Sequence, residues 1–156
     1  MPKISAGLVL YRRRAGGLEI FLVHPGGPFW AKKDAGAWSI PKGEAAPGED
    51  LLARARTEFA EETGFVPAGE FRPLTPVRQA GGKTVHAWAV EGEADSAAIR
   101  SNSFTIEWPP RSGQMREFPE VDRAGWFALA AAREKIIAGQ IGLLNELERL
   151  TSGQQD

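Results

Sequence analysis

The chain has 156 residues, the length of one domain, and 42% of them are apolar, including five Trp and eight Phe, enough for a hydrophobic core. A net charge of −1 argues against bulk electrostatic binding of nucleic acid polymers or of an acidic membrane surface. The absence of cysteine excludes disulfides, a thiol nucleophile and thiolate metal sites. We find no signal peptide and no stretch long enough to span a membrane, so we expect a cytoplasmic protein with one domain over 1–150 and a polar tail over 151–156.

The chain is predicted to begin with a β-hairpin. The apolar run 4–11 predicts a buried strand, the basic segment 12–17 predicts a turn, and 18–24 predicts a second strand. We expect His24, at the end of that strand, to be a structural or surface residue and not a catalyst.

Turn-forming residues then mark a loop over 25–36, and 37–40 predicts a brief strand. Phe29 and Trp30 place two aromatic groups in this loop, beside Lys32 and Lys33. In one interpretation, Phe29 and Trp30 offer an aromatic surface to a base, and the two lysines contact phosphates. In the other, both aromatic rings are buried to pin the loop, and the lysines are only solvated.

The stretch 43–65 predicts a short loop followed by an acidic helix. Glu49 and Asp50 suit the positive end of the helix dipole, and Gly64 is the predicted C-cap. An apolar stripe should dock the helix on a sheet. Its members are Leu51, Leu52, Ala55 and Phe59.

Three glutamates of this helix should lie on one side of it. Glu58, Glu61 and Glu62 follow the i, i+3, i+4 spacing, at which like charges repel. They also lie near the C-terminal end of the helix, where the dipole disfavours negative charge. A hard cation such as Mg²⁺ or Mn²⁺ would compensate this repulsion. The alternative is an ordinary solvated acidic helix, in which Arg54 and Arg56 soften the repulsion.

The spacing of the whole stretch resembles the Nudix box. Gly43, Glu49 and the segment 57–65 follow the pattern G-x5-E-x7-R-E-U-x-E-E-x-G-U, where U is a bulky apolar residue, except that Thr57 replaces the arginine. The preceding segment 38–43 fits the W-x-x-P-[KG]-G pattern common in this family. The resemblance spans most of the chain. It implies an enzyme that uses a divalent metal to hydrolyse a nucleoside diphosphate linked to a further group.

The resemblance also implies roles for individual residues. Mg²⁺ is the expected cofactor, with Mn²⁺ possible. The implied metal ligands are one backbone carbonyl and three helix carboxylates: those of Gly43, Glu58, Glu61 and Glu62. The residue that positions the attacking water is expected among four carboxylates, the first two being preferred: Glu61, Glu62, Glu58 and Glu120. Lys42, next to the box, is a candidate phosphate contact.

Thr57 is a departure from the family pattern. The arginine at this position in the family orients the following glutamate and neutralises part of the acidic cluster, which a threonine cannot do. Arg54 lies on the glutamate side of the helix, four residues before Glu58, and is a partial substitute, whereas Arg56 points away. The second hypothesis is therefore a Nudix-fold module that binds or senses a nucleotide metabolite with weak turnover.

The C-terminal half is predicted to complete the sheet and cover it with helices. Strands are predicted at 70–77, broken by prolines, at 83–91 after a Gly81-Gly82 turn, at 103–108 and around 126–127. Helical spacing over 128–150 is interrupted at Gly139 and Gly142.

Two loops of this half carry candidate site residues. Arg111, in the loop 108–114, either contacts phosphates or is simply solvated. Glu120, with Glu117 as the alternative, precedes the predicted aromatic strand, where many members of the family carry an additional metal ligand or base; the other interpretation is an ordinary exposed glutamate.

The resemblance predicts an α/β fold, a Nudix-type α/β/α sandwich with a mixed β-sheet between helices. The box helix should cover one face and the C-terminal helices the other. The expected partner is a small-molecule nucleotide: a dinucleoside polyphosphate first, then nucleoside triphosphates and ADP-ribose. The protein would act as a monomer or a homodimer.

Overall fold

The computed structural model describes residues 3–152, which form nine β-strands and three α-helices. The strands are β1 (Ile4–Arg14), β2 (Gly17–Pro25), β3 (Lys42–Glu44), β4 (Arg72–Pro73), β5 (Val77–Arg78), β6 (Thr84–Glu91), β7 (Ser103–Glu107), β8 (Met115–Pro119) and β9 (Val121–Ala128). The helices are α1 (Leu51–Thr63), α2 (Leu129–Lys135) and α3 (Ile141–Ser152). None of the helices in residues 3–152 combines the length and the apolar character that a membrane crossing requires.

Seven strands form one mixed sheet in the order β4-β6-β1-β2-β9, with β3 also paired to β1 and β5 to β6. β1 and β6 run parallel over eight residue pairs, from Ile4–Thr84 to Tyr11–Glu91. The other pairs in this sheet are antiparallel. The predicted α/β class with a mixed sheet is confirmed. β7 and β8 form a separate two-stranded hairpin.

The central strands contribute to a core on each face of the sheet, because successive side chains of a strand point to opposite faces. On one face, Val9 of β1 lies in a core with Leu144 and Leu147 of α3. On the other face, Leu8 of β1 lies in a core with Phe59 of α1. Each of these side chains is at most 1% exposed, and burial of such a side chain stabilises the fold by about 1.5–3 kcal/mol.

Helix α1 begins and ends where its capping residues predict. The Asp50 side chain accepts a hydrogen bond from the N–H of Ala53 at the N-terminal end. Gly64 adopts a left-handed φ of 82° at the C-terminal end, which is easily reached without a side chain, and its N–H bonds to the carbonyl of Ala60. The predicted apolar stripe packs on the sheet, with Ala55 and Phe59 fully buried.

Several strand boundaries differ from the sequence prediction. β1 continues through the predicted basic turn to Arg14, because Arg12 and Arg13 pair with Glu19 and Leu18 of β2. The predicted strand over 37–40 is only two isolated bridges, made by Trp38 and Ser39. The paired segment is instead β3, whose three residues are too few for a pattern of alternating side chains.

Two further differences concern β8 and α3. β8 was not predicted, since four of its five residues are exposed and its only partner is β7. Gly142 lies inside α3 and does not interrupt it, whereas Gly139 lies in a short 3₁₀ turn. α3 continues to Ser152, two residues into the predicted tail, because Thr151 is buried and donates a hydrogen bond to the Leu147 carbonyl. The remaining tail residues, 153–156, lie outside the described residues.

Candidate active site

Packing of α1 against β3 brings Glu58 onto the backbone of Gly43. β3 is held beside β1 by the pairing of Gly43 with Ala6, and α1 covers both strands. A Cβ atom at Gly43 would overlap the carboxylate of Glu58, so any larger residue at this position would displace that carboxylate. Two candidates from the predicted box, 15 residues apart in the chain, therefore touch in the fold.

Arg54 connects two carboxylates of the acidic helix. Its Nε donates to Glu49 Oε2 at 2.7 Å, and its Nη1 donates to Glu58 Oε2 at 2.9 Å. These ion pairs lower the pKa of Glu49 and raise that of Arg54. The exposed Thr57 takes no part in them, and the Arg56 guanidinium lies over the ring of Phe71. Arg54 therefore supplies the positive charge that Thr57 does not.

Glu62 and Lys42 line a small pocket with Glu120. The pocket has a volume of about 140 Å³ and also includes Ser39 and Val121. Burial raises the pKa of Glu62 to about 8, against the opposing effect of Lys42, and the negative charge of Glu58 and Glu120 adds to the increase. Burial also lowers the pKa of the Lys42 ammonium group.

Glu58 belongs to the same electrostatic cluster. Burial raises its pKa, Arg54 opposes the increase, and the charges of Glu61 and Glu120 add to it. The Glu61 side chain is exposed. Four carboxylates from a helix and from a distant turn thus act on one another, as the spacing along the helix predicts for three of them.

Backbone hydrogen bonds through Asn102 fix the position of Glu120. The N–H of Asn102 donates to the Glu61 carbonyl at 2.9 Å, and the N–H of Glu120 donates to the Asn102 carbonyl at 2.8 Å. The Glu120 carbonyl then accepts a hydrogen bond from Gly26 at 2.9 Å. Sequence analysis did not single out Asn102, because its contribution is made through backbone atoms, which leave no residue-type signal.

The cluster has the donor chemistry of a site for a hard cation. Carboxylate oxygens suit Mg²⁺ or Mn²⁺, and the burial that raises the pKa of Glu62 disfavours its charged form in the chain alone. Within residues 3–152, however, no three side chains among His, Cys, Asp and Glu are arranged so that they could hold an ion together. The residue types fit a divalent cation, and their side-chain positions do not yet surround one.

The remaining substrate-binding candidates lie in two exposed segments. Lys32, Lys33 and Arg111 are exposed, and Trp30 is 37% exposed. Phe29 is 63% exposed, so the interpretation in which both aromatic rings are buried to pin the loop is wrong. None of these residues lines the pocket of Glu62.

His24 has a structural position, as predicted. Its ring is fully buried. Nδ1 lies 2.9 Å from a carboxylate oxygen of Asp122 in β9, and Nε2 lies 2.7 Å from the Lys33 carbonyl oxygen.

A larger cleft of about 660 Å³ lies beside the β1–β2 turn and the end of α3. It includes none of the candidate carboxylates, and we place the site at the smaller pocket on the chemistry of its side chains.

Nearly the whole chain is similar to known proteins. The family model for the NUDIX domain matches residues 1–147. Two structures of a C. elegans Ap4A hydrolase are similar to this chain. The binary complex has 24% sequence identity and a TM-score of 0.66, and the match covers 97% of this chain and 98% of that chain. The other structure has 25% identity and a TM-score of 0.59, and the match covers 99% of this chain and 100% of that chain. The NUDIX domain of Shewanella oneidensis NrtR, complexed with ADP ribose, is also similar. It has 18% sequence identity and a TM-score of 0.63, and the match covers 97% of this chain and 88% of that chain. No curated protein matches the sequence.

Proposed function

This chain belongs to the Nudix family and is a Nudix-type pyrophosphohydrolase, and we propose that it cleaves a phosphoanhydride bond in a nucleoside diphosphate-X compound. A dinucleoside polyphosphate is the first candidate substrate, followed by a nucleoside triphosphate and ADP-ribose. The observation that carries the proposal is the half-buried carboxylate of Glu62, which shares one pocket with Lys42 and Glu120. The likeness to the C. elegans Ap4A hydrolase, at 25% identity over nearly the full length of both chains, supports the first candidate.

The proposed cofactor is Mg²⁺, with Mn²⁺ as the alternative. Its ligands would come from one backbone carbonyl and three carboxylates: those of Gly43, Glu58, Glu61 and Glu62. When bound, the ion supplies positive charge that stabilises the phosphoryl oxygens as negative charge develops on them. Because Arg54 holds one oxygen of Glu58 at 2.9 Å, and no three carboxylates within residues 3–152 are arranged to hold an ion together, we propose that a carboxylate rotates when the ion binds.

The protein's own groups would position the substrate and take up the proton. A carboxylate accepts a proton from the attacking water, and Glu61 or Glu62 is proposed for this step, with Glu58 and Glu120 as contenders. Lys42 lies beside Glu62 and is proposed to contact a substrate phosphate. Further contacts are proposed from the two exposed segments: Trp30, Lys32, Lys33 and Arg111.

We further propose that residues 1–150 form a single domain and that the protein works in the cytoplasm, as a monomer or a homodimer. Its partner would be a small nucleotide and not a nucleic acid polymer, consistent with the net charge of −1.

The test is a hydrolysis panel with the purified chain and Mg²⁺, covering diadenosine polyphosphates, nucleoside triphosphates and ADP-ribose, with products separated by anion exchange. We expect cleavage of one substrate class, and a loss of about 100-fold or more in kcat for Glu62→Gln. Glu70→Gln, at an exposed glutamate outside the cluster, is the matched control and should retain full activity. Equal activity of Glu62→Gln and the unaltered protein would overturn the proposal.

A second candidate function is the binding or sensing of a nucleotide metabolite with weak turnover. Thr57, in place of the family's arginine, favours it, and the ion pairs of Arg54 argue against it. The same panel separates the two candidates. Tight binding of one compound without cleavage of any would favour the sensor, and rapid turnover at micromolar substrate would exclude it.

A further inference from the structure

Two exposed segments meet through an aromatic pair outside the carboxylate pocket. Phe29, in the loop 26–36, and Trp108, at the tip of the β7–β8 hairpin, are in edge-to-face contact with ring centroids 5.4 Å apart. We call this pair the aromatic platform. Phe29 keeps 63% of its surface exposed although it contacts another ring. Trp108 is half-buried, so it supports the exposed ring of Phe29, and an exposed aromatic ring held in this way is typical of a binding surface.

The platform is connected to the carboxylate pocket by short backbone steps. Gly26 donates a hydrogen bond to the carbonyl of Glu120, and Phe29 follows only three residues later, so its Cα is at most about 11 Å from that of Gly26. Gly27 lies against the ring of Phe104, since a Cβ there would come within 2.8 Å of it. A ligand with its phosphates at Glu62 and Lys42 could therefore extend to the platform.

The surroundings of the platform carry positive charge on aromatic rings. Lys33 Nζ lies 5.1 Å from the ring centroid of Trp30, and Arg116 Cζ lies 5.8 Å from that of Phe118. Within the described part of the chain, no ion pair holds Lys32, Lys33 or Arg116. Of the nearby carboxylates, that of Glu107 accepts a hydrogen bond from a backbone N–H in the hairpin tip. An exposed aromatic ring with adjacent cations that form no ion pair complements an aromatic base joined to phosphates.

We propose that Phe29 and Trp108 form a subsite for the nucleobase of a polyphosphate substrate, an inference that rests on the proposed function. The ligand class is a nucleoside or dinucleoside polyphosphate. A base-free polyphosphate would fill the carboxylate pocket and leave the platform empty. The role of Phe29 is then to stack on the base, and the lysines of the same loop contact the phosphate chain.

The experiment compares a base-bearing ligand with a base-free one. Isothermal titration calorimetry with the full chain and Mg²⁺ measures Kd for a methylene-bridged, non-hydrolysable diadenosine tetraphosphate and for inorganic tetraphosphate. Phe29→Leu keeps apolar bulk and removes the ring, whereas Phe29→Trp keeps a ring. The ratio of the two Kd values, dinucleotide to tetraphosphate, should rise about tenfold in Phe29→Leu and stay close to the original ratio in Phe29→Trp. Val66→Ala, at an exposed apolar side chain outside both segments, should leave the ratio unchanged.

An unchanged ratio in Phe29→Leu would overturn the subsite, and so would an equal change in Phe29→Trp, which would indicate a general disturbance of the loop. Hydrolysis is measured separately on the unaltered protein. If the ratio depends on the ring but no phosphoanhydride is cleaved, the proposed function fails and the subsite stands. If cleavage is rapid and the ratio does not depend on the ring, the subsite fails and the proposed function stands.

Discussion

Arg54 holds two carboxylates of the acidic cluster at once, and removing it should leave Glu58 facing other negative charge without a partner. We predict that Arg54→Ala lowers kcat by about tenfold or more, the effect expected when a residue that orients a metal ligand is lost. Steady-state hydrolysis with saturating Mg²⁺ measures this. Unchanged kcat would show that Glu58 does not depend on Arg54 for its position.

Two further variants show whether the position of the charge matters. Arg56→Ala removes a guanidinium from the other side of the same helix, where it lies 5.0 Å from the ring centroid of Phe71, and should leave kcat unchanged. The double variant Arg54→Ala with Thr57→Arg restores the family's box and should recover part of the lost activity. No recovery would mean that this backbone is suited to an arginine only at the earlier position.

Glu62 should make the stability of the metal-free protein depend on pH. Its folded pKa of about 8 lies above the ordinary value, so between pH 4.5 and 8 the folded state binds more protons than the unfolded state. This contribution is fully present below the unfolded pKa and is lost as the pH rises through the folded pKa. We predict that the unaltered protein loses on the order of a few kcal/mol relative to Glu62→Gln between pH 5 and pH 8.

Urea unfolding in the presence of EDTA, at several pH values and for both proteins, measures this difference. Lys42 has a lowered pKa and contributes with the opposite sign, since its stability contribution rises with pH above its folded pKa. It is present in both proteins, so most of its effect cancels in the comparison. Parallel pH profiles for the two proteins would contradict a raised pKa of Glu62.

Among the elements, the loop 26–36 is held in part by one buried ring. His24 faces an oxygen acceptor at each ring nitrogen, and its ring edge also packs on Trp38 at a centroid distance of 5.2 Å. We predict that His24→Phe, which keeps a ring but loses both hydrogen bonds, destabilises the protein by about 2–3 kcal/mol. It should also free the loop, so that trypsin cleaves faster after Lys32 and Lys33.

Limited trypsin digestion followed by mass spectrometry tests this prediction. His86→Phe is the matched control, because His86 is half-buried on β6 and no side-chain hydrogen bond within residues 3–152 holds its ring. If cleavage after the two lysines is equally slow in both variants, contacts other than the His24 hydrogen bonds hold the loop.

The elements differ in how far local sequence determines them. α1 could be predicted to within two residues at its start, because Asp50 and Gly64 are capping residues and the apolar stripe has helical spacing. β3 and β8 could not, because their formation depends on the partners β1 and β7 and not on their own patterns. Gly142 would disfavour a helix taken alone, but the buried side chains of Leu143 and Leu144 keep it within α3.

At the level of the whole molecule, the candidate site combines a contiguous motif with residues that only the fold brings near. The grouping of three box glutamates on one side of α1 could be predicted from their spacing, whereas their proposed roles come from the family resemblance. The position of Arg54 beside Glu58 could be predicted from the helical periodicity. The approach of Glu120 depends on the backbone links through Asn102 and Gly26, which leave no mark in the sequence. Only part of the aromatic platform could be predicted from the sequence. Phe29 could be identified as an aromatic residue in a loop, but its contact with Trp108 is seen only in the tertiary structure.

A property of the entire fold follows from the carboxylate cluster. An ion that binds the folded chain and not the unfolded chain raises the free energy of unfolding, by about 2.7 kcal/mol at 100 times its Kd. We therefore predict that Mg²⁺ raises Tm by several degrees, that EDTA reverses the increase, and that Glu62→Gln greatly reduces it. Differential scanning calorimetry at increasing Mg²⁺ concentrations measures the shift without any substrate.

Glu70→Gln should respond as the unaltered protein does, because its exposed carboxylate lies outside the cluster. Equal shifts in all three proteins would place the bound ion elsewhere, and no shift in any of them would indicate that the carboxylates gather around Mg²⁺ only when the phosphates of a substrate are present.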